Sequence, residues 1–524
     1  MSSTSPGTPP APRSTGCWRS SRSACTPRSP RPSPPPATVL APAERVRGLK
    51  FSRAFCRYSW YRARHIRRGT AVPTAAADVA HLLRRAGFGG TPADVAALTP
   101  LDLPAVVDRL LDFSPNPADT PPASLTDPSK GDWERVVDLR KWWLDRMRTA
   151  PAPLQEKLAL FWHGHFATEA TKVGHAVDMY DQNHLFRTAG TGGFEALVQA
   201  MSVQVAMLVY LDNDVNRKGS PNENFARELL ELFTLGVNQY TQTDVVETAR
   251  AWTGHNVDKQ AVPRRAYRFY SERHDYGNKT FLGETRAWNG PEIITRVLTV
   301  EPQRSIAARF IAKKLWTFFA YPNPDAALVD TLAAEFVAAS LDVRALLRAI
   351  FLRPEFFSTT ARQGLVRSPV EWVVAVLRAT GLTAQDTNPQ WWMESMGQQL
   401  FEPPNVAGWK NNAYWCSNTA LWARADFARN ITWKARNASF LFEIAARNAQ
   451  NGYVMTEGDA IDFAYRKFGR DPLVAPVSAP VRNAMIAWLQ AQRAAERAPT
   501  YAWNLWAPIN LTTIMMLCPE VQLA

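Results

Sequence analysis

The sequence predicts a mostly α fold: a large multi-helix globular domain with long irregular insertions and at most a short β-hairpin. Three observations carry that expectation. Apolar residues recur at helical spacing through most of the chain after residue 74. Residues that start and stop helices bracket those stretches. No sustained βαβ alternation, heptad run or solenoid repeat interrupts them.

The elements follow in order. VAHLLRRAGFGG reads as a helix closed by glycines. TPADVAAL starts the next, with Thr91 as N-cap, Pro92 at the first helical position and Asp94 at the third. LPAVVDRLLDF is amphipathic, and the Pro-rich DFSPNPADTPPASLTDPSK is a loop. WERVVDLRKWWLDRMRT and PAPLQEKLALFWHGHF are helical, with Gly164 expected to end the second. Helical spacing continues over 194–211, 222–235 and 243–252. The pattern breaks at 255–290, where partial alternation in AYRFYSERHD suggests a short β element near 265–283. Helices resume at 294–300, 304–319, 325–339, 343–352, 369–379, 418–431 and 460–467. The stretch 389–416 is irregular and rich in Trp, Pro and Gly, as an aromatic loop between helices would be.

Charge divides the chain at about residue 70. Of 524 residues, 46% are hydrophobic, enough for a sizeable core, and the formal net charge is +13. Residues 1–70 hold 14 of the 60 basic residues and only Glu44 of the 47 acidic ones, so the remainder is electrically neutral. A generally basic nucleic-acid surface therefore loses its support. Residues 1–70 are a basic Ser/Pro/Arg-rich leader with ten prolines in the first 40 residues, expected to be disordered. Three readings fit it: a flexible tail, a misplaced start ahead of a native beginning at 40–72, or an export signal around Arg67-Arg68. The last is a weak match, because Asp78, His81, Arg84 and Arg85 interrupt any apolar core. The domain is expected to be single, spanning 74–524. No long uncharged apolar stretch predicts a membrane span. Cys416 and Cys518 alone fall in the domain, which argues against a disulfide scaffold or cysteine-ligated metal.

Four clusters offer chemistry. Glu156 and His163 lie seven apart on one helix face, and His165 would swing round beyond Gly164. A Glu/His/His set suits zinc, iron or manganese, and His175, Asp178 and His184 follow closely enough to complete such a site. The bland alternative packs both histidines, neutral, against Phe161, Trp162 and Phe166. The second cluster, Asp212 to Glu223, resembles a twelve-residue calcium loop with oxygen donors at Asp212, Asp214, Asn216 and Glu223. Arg217 stands where that loop needs glycine, and a capped helix connection is the plainer account. In the third, Glu228 flanks an apolar stripe of Phe225, Leu229, Leu232 and Phe233, a candidate catalytic carboxylate beside Glu156, while Arg227 is either a salt-bridge partner or a ligand contact. In the fourth, Trp391, Trp392, Trp409, Tyr414 and Trp415 either form a stacking surface for a ligand or anchor the loop to the core. P-loop, GxGxxG and GxSxG patterns are absent, which excludes the common nucleotide-driven and serine-hydrolase classes.

HLLRRAGFG, PLQEKLALFWHGHF, QNHLFR, LDNDVNRKGSPNENFARELLELFTLG, YTQTDVVETARAWTG, HDYGNKTFLG and GQQLFEPPNVAGW together resemble the DUF1800 family of bacterial proteins. The resemblance runs from about residue 80 to the end and excludes the leader. It implies export to the envelope, whereas this chain's lack of a clear signal points to the cytoplasm. It also implies partners: an envelope polysaccharide, or a neighbouring protein similar to the sulfatase and alkaline phosphatase superfamily. It brings no catalytic residues with it. The leading expectation is a metal-assisted hydrolase in which His163 and His165 hold the metal and Glu156 or Glu228 acts as base. The alternatives are a glycan- or protein-binding protein using the tryptophan loop, and a helical cofactor or redox protein with a histidine-held haem.

Overall fold

The computed structural model describes residues 72–524 except 115–119, 262–263, 363, 436–455, 471, 474–475 and 496–500. The leader 1–70 lies outside the described residues.

The fold is built round one helix, Pro153–His165. Every residue from Leu154 to His163 is buried, as is His165. A helix buried on all sides carries no amphipathic stripe to orient it. Its orientation comes instead from four ionisable side chains, Glu156, Lys157, His163 and His165, each of which needs a partner inside the protein. Helices Asp132–Thr149 and Ala176–Ala189 pack around it. Helix Pro369–Thr380 meets it through the Lys157–Glu371 pair, and helix Gln303–Phe319 through the Phe161–Phe318 ring contact. One continuous apolar core runs from Val79 to Val521.

Local signals work as the sequence predicts where they are short-range. Thr91 and Asp94 form a reciprocal capping box ahead of Pro92 and helix Pro92–Leu98. Gly164 does not end its helix, which continues through His165. The close approach at this point depends on Gly408 instead: its backbone lies against the Gly164 carbonyl, and a Cβ at Gly408 would come to 2.2 Å from that oxygen.

The irregular segment after residue 254 holds two two-stranded antiparallel ladders where at most one hairpin was expected. His255–Asp258 pairs with Ala266–Phe269, and Lys279–Phe281 pairs with Glu284–Arg286. The second closes through Leu282 and Gly283, both at positive φ (48° and 79°), the two-residue turn whose twist matches paired strands. A leucine in the left-handed region is an unusual signal, and this hairpin is hard to read from sequence for that reason.

Residues 224–235 do not form the uniform helix predicted. An α-turn over Asn224–Glu228 widens into a π-helix over Leu229–Thr234, with the amide of Leu235 reaching the carbonyl of Leu230 at 2.9 Å. Thr234 Oγ1 donates to the Leu229 carbonyl at 2.6 Å and supports the wider turn. π-turns inside helices occur often at functional sites. No described helix is long and apolar enough to cross a membrane.

Candidate functional site

The polar residues of the central helix sort by what meets them. Glu156 is saturated: its Oε1 accepts from Arg146 Nε and Arg187 Nε, both at 2.6 Å, and its Oε2 from Trp143 Nε1 at 2.9 Å and Arg187 Nη2 at 3.1 Å. Burial alone would raise its pKa, but Arg187 and Arg146 overcome that and hold it below the usual carboxylate value. Lys157 forms an ion pair with Glu371, whose other oxygen accepts from the Ser368 amide at 2.7 Å. His163 Nε2 accepts the Phe401 amide proton at 3.0 Å, so that nitrogen carries no proton and its lone pair is taken. Phe401 sits at φ 63°, and this hydrogen bond helps hold a bulky residue in a strained conformation. Burial pushes the His163 imidazole down to about 3, keeping it neutral.

His165 differs because one of its partners faces open space. Its Nε2 donates to the Phe233 carbonyl at 3.1 Å, and its Nδ1 accepts from Lys314 Nζ at 2.8 Å. The π-turn supplies that carbonyl, and the neighbouring Leu232 carbonyl lies 3.5 Å from the same ammonium. Burial draws Lys314 down from 10.5 to about 8. Burial, followed by the Lys314 charge, pushes His165 well below its ordinary value.

Lys314 and His165 line a cavity of about 450 Å³. Phe161, Phe310, Phe318 and Trp409 give it an apolar, largely aromatic wall; Glu231, Glu371 and Lys313 add charge at its margins. Tyr240 donates its hydroxyl proton to Glu231. An amine beside an imidazole, in an apolar chamber, can hold an oxyanion as ammonium or attack a carbonyl as free amine.

The sequence clusters meet this site unevenly. Of the metal candidates, His165 lines the cavity, while the Glu156 oxygens and His163 Nε2 are engaged elsewhere. His175 and Asp178 pair with each other at 3.1 Å, and Arg265 also holds Asp178. The calcium-loop donors are held separately. Asp212 pairs with Lys172 at 3.0 Å, Asp214 with Lys259 at 2.8 Å, and Glu223 with Arg227 at 3.0 Å. Asn216 is fully buried, bonding Asn213, Ala249 and the Asn222 amide. With Arg217 in place of the turn glycine, the chain folds there as a tight Arg217–Ser220 bridge about Gly219. Among the described residues, no group of three or more His, Cys, Asp or Glu side chains is placed to hold a metal ion. The donor set therefore does not fit the metal centre the sequence suggests.

Glu228 does not line the cavity. It is half-buried near Tyr210, whose hydroxyl is pushed up to about 12 by burial and by the carboxylates of Glu169, Glu228 and Glu402. Its own pKa is raised by burial and by Glu231. Arg227 lies outside the cavity too, donating to Gln242 Oε1 at 2.9 Å as well as to Glu223. The tryptophans divide: Trp409 and Trp415 line the cavity, Trp392 donates to Asp426 at 2.8 Å, and Trp391 is exposed. Lys314 escaped the sequence reading. Its signal was present, since it stands four residues from both Phe310 and Phe318, on the apolar side of its helix.

The fold is thus α-helical and carries an open, largely aromatic cavity lined by Lys314 and His165. The sequence signature described as "Protein of unknown function (DUF1800)" matches residues 81–523, and the chain belongs to that family. No curated protein and no solved structure matches it.

Proposed function

We propose that this protein binds a small amphipathic molecule in the cavity, its flat apolar body against Phe161, Phe310, Phe318 and Trp409 and its oxyanion or carbonyl head at Lys314. The observation that carries this reading is the placement of the Lys314 amine on the wall of an aromatic chamber, oriented by His165. A chamber of about 450 Å³ takes one or two rings rather than a polymer strand, so an envelope polysaccharide would enter only by a terminal residue. The ligand-binding role considered for the tryptophan loop is supported at Trp409 and Trp415, not at exposed Trp391. Metal-assisted hydrolysis would need free donors at Glu156, His163 and His165, and binding in the cavity needs none.

Lys314 favours a second reading, amine catalysis. With its pKa near 8, a usable fraction of the amine is neutral at physiological pH. That amine adds to an aldehyde or ketone carbon, the carbonyl oxygen leaves as water, and an imine remains.

The test uses 1-anilinonaphthalene-8-sulfonate, an aromatic anion of suitable size, with folding of each variant checked by circular dichroism. Saturable one-to-one binding that quenches tryptophan emission, weakened at least tenfold by Lys314→Met and by Trp409→Ala, is expected. Binding that both folded variants retain at wild-type strength would sink the proposal. Borohydride reduction with benzaldehyde separates the catalytic reading: a benzyl adduct mapped to Lys314 supports it, and labelling confined to exposed lysines such as Lys313 removes it.

A further inference from the structure

A second cluster lies behind the cavity's Glu371 wall. Arg84, Arg85, Arg367, Arg424 and Arg470 are all at least nine-tenths buried. They come from distant segments yet act on one another electrostatically: Arg84 feels Arg470, Arg367 and Arg85, and Arg367 feels Arg470 and Arg424. Some of their donors have carbonyl partners. Arg85 donates to Ala361, Arg470 to Leu523, and Arg424 to the Arg367 carbonyl at 2.7 Å and to Gln522. Others have none. Arg84 Nε, Arg85 Nε and Nη1, Arg367 Nη1, Arg424 Nε and Arg470 Nε are buried without a hydrogen-bond partner.

Charge makes this arrangement costly. Among the described residues, the carboxylates that act on these guanidiniums are Glu371 and Glu520. Glu371 is already committed to Lys157, and Glu520 accepts the Ser478 amide at 2.8 Å. Tyr465 and Cys518 lie close but stay neutral, because burial pushes each up to about 12. His81, packed against the same face, is driven down to about 2 by burial and by Arg85 and Arg84. With Lys157 included, six cations face two carboxylates. Guanidinium does not give up its proton at physiological pH, so the excess stays in a low-dielectric interior. Water can accept the free N–H groups but brings no charge.

We infer that Arg84, Arg85, Arg367 and Arg470 form a buried site for a tetrahedral oxyanion, phosphate or sulfate. Such an ion carries up to two negative charges and presents many acceptor positions to several guanidinium forks at once, which is the geometry arginine favours. Chloride offers one charge and no such fit. The site is distinct from the Lys314 cavity, and its occupancy does not depend on the function proposed there.

The full chain is purified in Tris–chloride without phosphate or sulfate, dialysed, denatured in acid, and its released anions are separated by ion chromatography. About one equivalent of phosphate or of sulfate per chain is expected, and the chromatogram says which. If purification strips the site, adding either ion raises the melting temperature saturably over sodium chloride of equal ionic strength. Arg84→Met and Arg367→Met should weaken retention at least tenfold in folded protein. The wild-type measurement stands even if those variants do not fold. Chloride alone, or no retained anion together with no saturable stabilisation, overturns the inference.

Discussion

Lys314→Met probes the cavity through a stability difference that depends on pH. Burial lowers the folded-state lysine from 10.5 to about 8. Folding therefore disfavours its proton by roughly 2.5 pH units, an upper bound of about 3 kcal/mol. The ammonium keeps some contact with the open chamber, and about 2 kcal/mol is the better working figure. Between pH 8 and 10.5 the unfolded chain holds more protons on this residue than the folded chain does. Wild-type stability therefore rises through that window, and the penalty is fully present below pH 8. Methionine removes this penalty but leaves His165 Nδ1 without its donor, a cost of about 1 kcal/mol that does not change with pH while His165 stays neutral. The assay is urea unfolding of both proteins at pH 7 and pH 10. Relative to wild type, the variant should be more stable at pH 7 than at pH 10 by about 1 kcal/mol, because the unfolded lysine is still mostly protonated at pH 10 and part of the penalty remains there. The same difference at both pH values would refute the depressed lysine and the electrostatic account of the site.

Glu156→Gln leaves Arg187 buried beside a neutral amide and should destabilise the fold by about 3–5 kcal/mol in urea unfolding. Because the folded-state pKa of Glu156 is lowered, its stabilisation is present above the ordinary carboxylate pKa and is lost as pH falls through the folded value. The gap between wild type and variant should therefore narrow in acid, and a gap that stays constant there would count against the ion pair. Gly408→Ala sets a Cβ 2.2 Å from the Gly164 carbonyl at a φ of +76°. It should lower stability by about 2 kcal/mol or more and displace Trp409; a variant with wild-type melting temperature and unchanged binding of the naphthalene sulfonate would show that this close approach is dispensable.

Short-range chemistry made much of the fold legible. The Thr91 capping box, the central helix and the helical spans between 294 and 352 follow from spacing and caps that a few neighbouring residues decide, whereas helices Gln390–Ser395, Ala479–Ala495 and Tyr501–Leu517 were not read from the sequence. Helix Ala176–Ala189 was harder to read, because Asp178, Gln182, Asn183 and Arg187 are buried along it and interrupt the apolar stripe that would announce it. The site was less legible still. His165 was picked out as a candidate, but Lys314 is 149 residues away and Phe401, which engages His163, is 238 residues away. A histidine reads the same in sequence whether it faces a metal, a backbone amide or a lysine. Only the fold supplies the partner, and here the partners decide the chemistry.

The central helix shows how one buried segment separates architecture from activity. Desolvation forces each of its ionisable groups to find a partner, and the kind of partner fixes what the group can still do. Two arginines and an indole fill the acceptor positions of Glu156. Lys157 is neutralised by Glu371, and the Phe401 amide takes the His163 lone pair. None of the three keeps the reactive valence that catalysis or ligand binding would use, so their burial orients the helix and pins the tryptophan loop against it. His165 is also satisfied, but by an amine that is itself only partly enclosed. The uncompensated part of that pair, a lysine ammonium without a carboxylate against it, is directed at the cavity rather than the core. A polar network closed at three points and open at the fourth places the Lys314 amine at the helix's C-terminal end. There the π-turn carbonyls and the Gly164–Gly408 contact bring the chain segments together around the cavity, which is what the proposed binding of a small ligand requires.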